Sequence, residues 1–304
     1  MRSLRVILCL LLALLSGTIA ADLPPALPEV IPLWPGNPPR FAEGAPPETV
    51  DKDFHIRNVS APTLSIYSPP AETRNGMAII VCPGGGYGAL DWQTHVVYAA
   101  RVFNAKGVTV IGLKYRLRPP NGKTNEDIQA ITLLDAQRAL RLVRLRASEW
   151  NLDPHRIGIA GYSAGANLSL NLTAHFDSGN PASADPIERQ SCRPDFSVGL
   201  ATWHWRQKES PFHFGKDTPP VFLVHATNDG LTGGAPIELP RAIQADLKQL
   251  GTPVHLEVFN QGGHGVGNLI PQRVQNGFPP AKWPDLLLQW LDANLAPTGQ
   301  PWKP

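Results

Sequence analysis

The chain has 304 residues, 42% hydrophobic and 17% charged, with 27 basic and 25 acidic side chains for a net charge of +2. Its 32 prolines are about twice average usage, yet with 27 glycines the total stays below the share that marks disorder. This composition argues against collagen, a disordered chain, a disulfide miniprotein and a polytopic membrane protein. The even charge argues against nucleic-acid binding, which usually carries a basic excess. The length allows one large domain or two small ones.

Residues 1–20 read as a secretory signal. Arg2 and Arg5 form a basic start, Val6 to Leu15 are unbroken apolar residues, and Ser16, Gly17, Thr18 and Ala20 give a small-residue exit. The apolar run is too short for a bilayer, which needs about 20 residues. The expected product is secreted or periplasmic, without a membrane span after signal removal, and neutral, because the signal carries two arginines and no acid. Cys82 and Cys192 remain. Export would permit a disulfide, but Cys82 ends an apolar strand and is expected to be buried, which favours two free thiols. No CxxC or HExxH occurs, so no metal is expected, and no cofactor either.

Nine prolines fall between Pro24 and Pro47. Each removes a donor and fixes φ, so residues 21–50 are expected to form an extended strap, with Trp34 and Phe41 as anchors. The spacing then predicts strands over Phe54–Val59 and Thr63–Tyr67 as a hairpin, and a strand over Met77–Cys82 running into Pro83-Gly84-Gly85-Gly86. A helix follows over Trp92–Lys106, then a strand over Val108–Leu113. The helix over Asn125–Arg146 places Ile128, Ile131, Ala136, Ala139, Val143, Ala147 and Trp150 on one side, with Arg138, Arg141 and Arg144 on the other. Next come a strand over Arg156–Ala160, a helix over Ser163–Ala174, strands over Phe196–Ala201 and Val221–His225, and a helix within Pro236–Leu250 ending at Gly251. Val254–Phe259 is the last strand and Trp283–Leu295 the last helix. Such alternation implies an α/β fold: a mostly parallel eight-stranded sheet with helices on both faces. The expected organisation is a signal over 1–20, the strap over 21–50, one catalytic domain over 51–296 and a tail over 297–304.

The sharpest chemical signal is Gly161-Tyr162-Ser163-Ala164-Gly165 between a buried strand and a helix, the setting of a nucleophile elbow. The bare pattern is weak; an ordinary tight turn is the bland alternative. An acyl-transfer serine needs a base. Of the histidines after Ser163, His225 and His255 lie inside strands and His175 ends a helix. His264 sits in Gln261-Gly262-Gly263-His264-Gly265, directly after the last strand, where a loop can bring imidazole over the serine. The acid that orients the imidazole should follow a strand between them. Asp229 does; Asp217 and Asp246 are off strand ends. The order Ser163, Asp229, His264 is that of an α/β-hydrolase. Gly84-Gly85-Gly86 and the Ala164 amide stand where oxyanion donors are needed. Gly84-x-Gly86-x-x-Ala89 also fits a relaxed dinucleotide fingerprint, but the next strand ends at Lys114-Tyr115 instead of an acid.

Together with Cys82-Pro83-Gly84-Gly85-Gly86-Tyr87, Leu113-Lys114-Tyr115-Arg116-Leu117, Asp135-Ala136-Gln137-Arg138-Ala139, Asp153-Pro154-x-Arg156-Ile157-Gly158 and Leu223-Val224-His225, these motifs resemble a secreted α/β-hydrolase family. The chain is similar over about residues 30–295 to bacterial acetyl-xylan esterase-like and feruloyl-esterase-like proteins. The resemblance implies Ser163, Asp229 and His264 as catalytic residues, with Gly85, Gly86 and Ala164 as the oxyanion hole. Three places depart from relatives: Pro83 where some have His, Ala166-Asn167 where many have Gly-His, and Asn228-Asp229-Gly230 where Asp-Asp-Pro is usual.

About 19 residues separate the strand ending at Ala201 from that starting at Val221, and the other usual cap position is proline-rich. Both argue against a large cap domain. Tyr87, Trp203, His204 and Trp205 are candidates for substrate contact, with plain core or lip packing as the alternative. The expected activity is a serine carboxylic-ester hydrolase removing short acyl groups, acetyl first and feruloyl second, from an acylated polysaccharide or oligosaccharide. A serine peptidase on the same fold and a catalytically silent carbohydrate-binding protein are the rival readings.

Overall fold

The computed structural model describes residues 27–40, 43–118, 124–205 and 209–295. The signal segment, Phe41 and the tail over 297–304 lie outside the described residues. Eleven strands are described: β1 (Glu29–Pro32), β2 (Thr49–Val50), β3 (His55–Arg57), β4 (Thr63–Tyr67), β5 (Ala78–Cys82), β6 (Leu90–Asp91), β7 (Thr109–Lys114), β8 (Ile157–Tyr162), β9 (Ser197–Leu200), β10 (Val221–Ala226) and β11 (Val254–Phe259). Six α-helices accompany them: α1 (Tyr98–Asn104), α2 (Asn125–Leu145), α3 (Ala164–Ala174), α4 (Glu238–Gln249), α5 (Pro271–Gln275) and α6 (Trp283–Asn294).

Eight strands form one sheet in the order β1-β4-β7-β5-β8-β9-β10-β11. From β7 to β11 all neighbours are parallel, while β4 is antiparallel to both β7 and β1. Every residue of β5, β8 and β10 is buried, as continuous apolar strands covered on both faces must be. Successive side chains of β5 point to opposite faces. Ile80 and Cys82 pack with Ile128, Val143 and Leu168 of α2 and α3. Ile79 and Val81 pack with Ala99, Phe103, Leu287 and Leu291 of α1 and α6. The expected α/β architecture is therefore present. No described helix is long and apolar enough to cross a membrane. No helix lies in the described part of 201–220.

Two local expectations are corrected. First, β3 and β4 do not form a hairpin. β3 pairs with β2 and β6 in a separate three-stranded antiparallel sheet, and β4 joins the main sheet. The period-2 pattern is identical for either pairing, so only the tertiary fold decides. Second, part of the strap is a strand: β1 edges the main sheet, with Leu33 buried behind it. Trp34 does anchor the segment, donating from Nε1 to Asp135 (3.1 Å) and lying under the Arg138 guanidinium. The arginine side of α2, on which the sequence made no statement about cover, lies under chain. Arg138 pairs with Asp185 (2.6 Å) and Glu188 (2.7 Å), Arg141 with Asp177 (2.6 Å) and Arg144 with Asp195 (3.0 Å). The long loop before β9 supplies all these acids.

Cys82 and Cys192 are both buried free thiols. Burial raises the pKa of each above the ordinary thiol value.

Candidate active site

β8 ends at Tyr162 and α3 starts at Ala164, leaving Ser163 alone in the turn at φ 53°, ψ −116°. A non-glycine residue there is strained by roughly 1–3 kcal/mol, and such strain concentrates at functional sites. The turn closes because its flanks are glycines. A Cβ on Gly161 would strike the Gly165 carbonyl, and one on Gly165 would strike the Cys82 carbonyl. The Ser163 amide donates to Leu200 O (2.9 Å), tying the elbow to β9.

Asp229 opens a 3-10 turn directly after β10, and His264 sits in another after β11. The Gly263 amide donates to Asn228 Oδ1 (3.0 Å), stitching the two loops together. His264 Nδ1 lies 2.8 Å from Asp229 Oδ1, and His264 Nε2 lies 2.7 Å from Ser163 Oγ. A carboxylate only accepts, so Nδ1 carries the proton and Nε2 is left as acceptor for the serine hydroxyl. Asp229 is fully buried, while the His264 side chain is 29% exposed. The fold thus brings Ser163, Asp229 and His264 into one chain of hydrogen bonds.

The glycine loop lies beside them. Gly85 and Gly86 have φ of 137° and 63°, and both line the same cleft as Ser163 and His264. A Cβ on Gly85 would collide with the Ala89 carbonyl. The Gly84 amide is committed to His95 Nδ1 (3.1 Å). Beneath the loop, Tyr115 donates from its hydroxyl to the Pro83 carbonyl (2.6 Å). Tyr115 is followed by Arg116, whose guanidinium grips both oxygens of Asp135 (2.8 and 2.9 Å) with both residues buried. Two of the sequence motifs are therefore partners in one ion pair beside the glycine loop.

The cleft measures about 560 Å³ and is lined by backbone glycines, Tyr162, His95, Asp91, Trp203, and by His55 and Arg57 of β3. The small sheet therefore forms part of its rim. Of the four candidate contact residues, only Trp203 lines the cleft. Tyr87 is 1% exposed, and its hydroxyl donates to Asn167 Oδ1 (2.7 Å) beneath the elbow. His204 is also buried, stacked on Trp205 at 3.9 Å, and Trp205 meets Trp203 edge to face. Local sequence could not separate these positions, because which of three adjacent aromatics faces the cleft depends on the loop path.

Two contributors escaped the sequence reading. His95 precedes Ser163, outside the chain order searched for a base. Gly234 passes so close to the Asp229–His264 bond that a Cβ there would overlap both Asp229 Oδ1 and His264 Nδ1. A Gly233-Gly234 pair shortly after the acid was the one available signal.

A BD-FAE family profile matches residues 64–187, which spans β4 to just beyond α3. An acetylxylan esterase of Xylanibacter ruminicola is 38% identical over 226 residues, covering 64% of this chain and 42% of its own length. The chain thus spans less than half of that relative. The solved structure of an acetyl ester-xyloside bifunctional hydrolase from Caldicellulosiruptor lactoaceticus aligns with a TM-score of 0.69 at 28% identity, covering 90% of this chain and 98% of that one. MGS-M1, an α/β-hydrolase from a Medee basin deep-sea metagenome library, aligns with a TM-score of 0.55 at 21% identity over 88% and 98%. With its elbow, its strand order and these likenesses, the chain has the α/β-hydrolase fold, and over residues 64–187 it is similar to the BD-FAE family.

Proposed function

We propose that the chain is a serine carboxylic-ester hydrolase that removes short acyl groups, acetyl first, from an acylated carbohydrate. The observation that carries this reading is the Ser163–His264–Asp229 relay, at 2.7 and 2.8 Å, opening on the cleft. In the proposed reaction His264 Nε2 takes the Ser163 proton as Oγ attacks the ester carbonyl. The carbonyl π pair moves onto oxygen, and the amides of Gly85, Gly86 and Ala164 are assigned to receive that charge. Collapse of the adduct breaks the ester C–O bond, and the alcohol leaves with the proton from His264. Water, deprotonated by His264, then attacks the acyl-serine and releases acid and free serine. Asp229 holds the imidazole in the required tautomer and balances its transient charge.

The substrate assignment is supported by the acetylxylan esterase relative and by the acetyl ester-xyloside hydrolase neighbour. Trp203 on the cleft wall offers a face for a sugar ring. The segment over 1–20 supports export, where plant polysaccharide would be met.

Replacing Ser163 by Ala is expected to abolish hydrolysis of p-nitrophenyl acetate. A variant with wild-type activity would sink the assignment. A panel of acetylated xylan, p-nitrophenyl esters of rising chain length and methyl ferulate orders the substrates. A wild-type protein that Ser163-directed fluorophosphonate leaves unlabelled would favour a silent binding protein.

A further inference from the structure

We propose that His95 is a positioning residue: it clamps the glycine loop to the serine elbow and to the His264 loop, holding the Gly85 and Gly86 amides where negative charge would develop. The proposal rests on the ester-hydrolase reading above.

His95 touches three of the four loops of the site, all but that of Asp229. Its Nδ1 accepts the Gly84 N–H (3.1 Å). Its Nε2 lies 3.2 Å from Asn268 Oδ1, and Asn268 stands four residues beyond His264, with its amide on Gly265 O (3.1 Å). Its ring stacks on Tyr162, the residue before Ser163, at 4.2 Å and 20°. An amide N–H only donates, so Nδ1 is unprotonated and Nε2 carries the hydrogen that Asn268 accepts. Both ring nitrogens are therefore used in structure. Nε2 faces Asn268, so His95 is not placed as a second base for Ser163.

The segment that carries His95 is built to hold Gly84 from two sides. The Asp91 amide donates to the Gly84 carbonyl (3.0 Å), and Asp91 Oδ1 accepts the Thr94 amide (3.1 Å). His95 then lies at the centre of a π-helical turn over Gln93–Val97, a widened turn of a kind frequent at functional sites. Gly84 has no room for a side chain: a Cβ there would sit 2.8 Å from Tyr162 O and 3.3 Å from His95 Cε1. With Gly84 fixed at both its N–H and its C=O, the next two peptides have little freedom to turn.

The clamp needs neutral imidazole, because a proton on Nδ1 would face the Gly84 N–H donor to donor. Asp91 Oδ2 is 3.9 Å away and favours the charged form; His264 and His55 oppose it. Burial outweighs Asp91 and keeps the ring neutral.

The test measures kcat and KM for p-nitrophenyl acetate, with melting temperature alongside. His95→Phe keeps a ring on Tyr162 but loses both hydrogen bonds. His95→Asn returns an acceptor near the Nδ1 position without reaching Asn268. Asn268→Ala removes the other half of the clamp. The expected result is a kcat loss of about 100-fold in His95→Phe, the scale of one oxyanion donor, with KM little changed. At least a tenfold recovery in His95→Asn and an intermediate loss in Asn268→Ala are expected. A merely structural histidine would lower melting temperature and leave kcat of the folded fraction alone; that outcome overturns the proposal. So does His95→Asn no better than His95→Phe. Should His95→Phe fail to fold, an unchanged kcat in Asn268→Ala overturns it equally. A wild type inactive on every ester would instead refute the hydrolase reading itself.

Discussion

Replacing Gly234 by Ala adds one methyl group at the Asp229–His264 hydrogen bond. Those two atoms are already 2.8 Å apart, and the added Cβ would overlap both. Asp229 has no retreat: it is fully buried, with Oδ2 only 3.3 Å from His225 Nε2. His264 is partly exposed, so its ring is the group that gives way. The Gly234 backbone lies outside the left-handed region, so alanine fits the chain there and only the collision acts. Losing the orienting acid typically lowers kcat about 10⁴-fold, which is about 5 kcal/mol of barrier at 1.36 kcal/mol per tenfold. Gly233→Ala is the matched comparison. Gly233 sits at φ 89° with nothing within 4 Å of an added methyl, so it should lose roughly 1–2 kcal/mol of stability through left-handed strain. The pair is read by p-nitrophenyl acetate kinetics and urea unfolding side by side. Gly234→Ala should be far less active yet folded, and Gly233→Ala less stable yet within about tenfold of wild-type kcat. A Gly234→Ala enzyme within tenfold of wild type would refute the reasoning.

Two further outcomes concern stability. Asp135→Asn leaves the buried Arg116 guanidinium without its carboxylate, and should cost about 3–5 kcal/mol in denaturant unfolding; a loss below about 1 kcal/mol would contradict a tightly coupled pair. For pH, burial holds His95 down to about 4 from its ordinary 6.5 and also lowers His225, Asp229 notwithstanding. Between pH 6.5 and 4 the unfolded chain binds the His95 proton and the folded chain does not, so stability is full above pH 6.5 and falls on acidification. His95 contributes about 3 kcal/mol of that loss by pH 4, about 2 kcal/mol of it between pH 7 and 5. Urea midpoints at pH 7 and 5 check it, and His95→Asn should flatten the slope; an unchanged slope would count against the assignment.

Sequence by itself determined the features that live on a few consecutive residues. The strand–helix alternation is carried by local apolar periodicity, so the parallel sheet and its flanking helices were legible. The elbow was legible because Gly161, Ser163 and Gly165 meet their constraint within one turn. Chain order then pointed to Asp229 and His264, since each follows a strand whose carboxyl end faces the same crevice.

Tertiary structure decided everything that depends on which segments lie side by side. β3 left β4 for a rim sheet because alternation marks a face and not a partner. The spacing put Arg138, Arg141 and Arg144 on the side of α2 opposite its apolar positions, but only the fold shows the loop over 177–195 bringing acids onto them. Tyr87 was drawn inward by Asn167, leaving Trp203 alone of the four aromatics on the cleft. His95 carries no local signature and Gly234 only its place in a glycine pair, since a glycine and a histidine in a turn look ordinary until the atoms they face are known. The serine elbow is a local property of the chain; the groups hydrogen-bonded in line with Ser163 come from loops far apart in sequence, and only packing joins them.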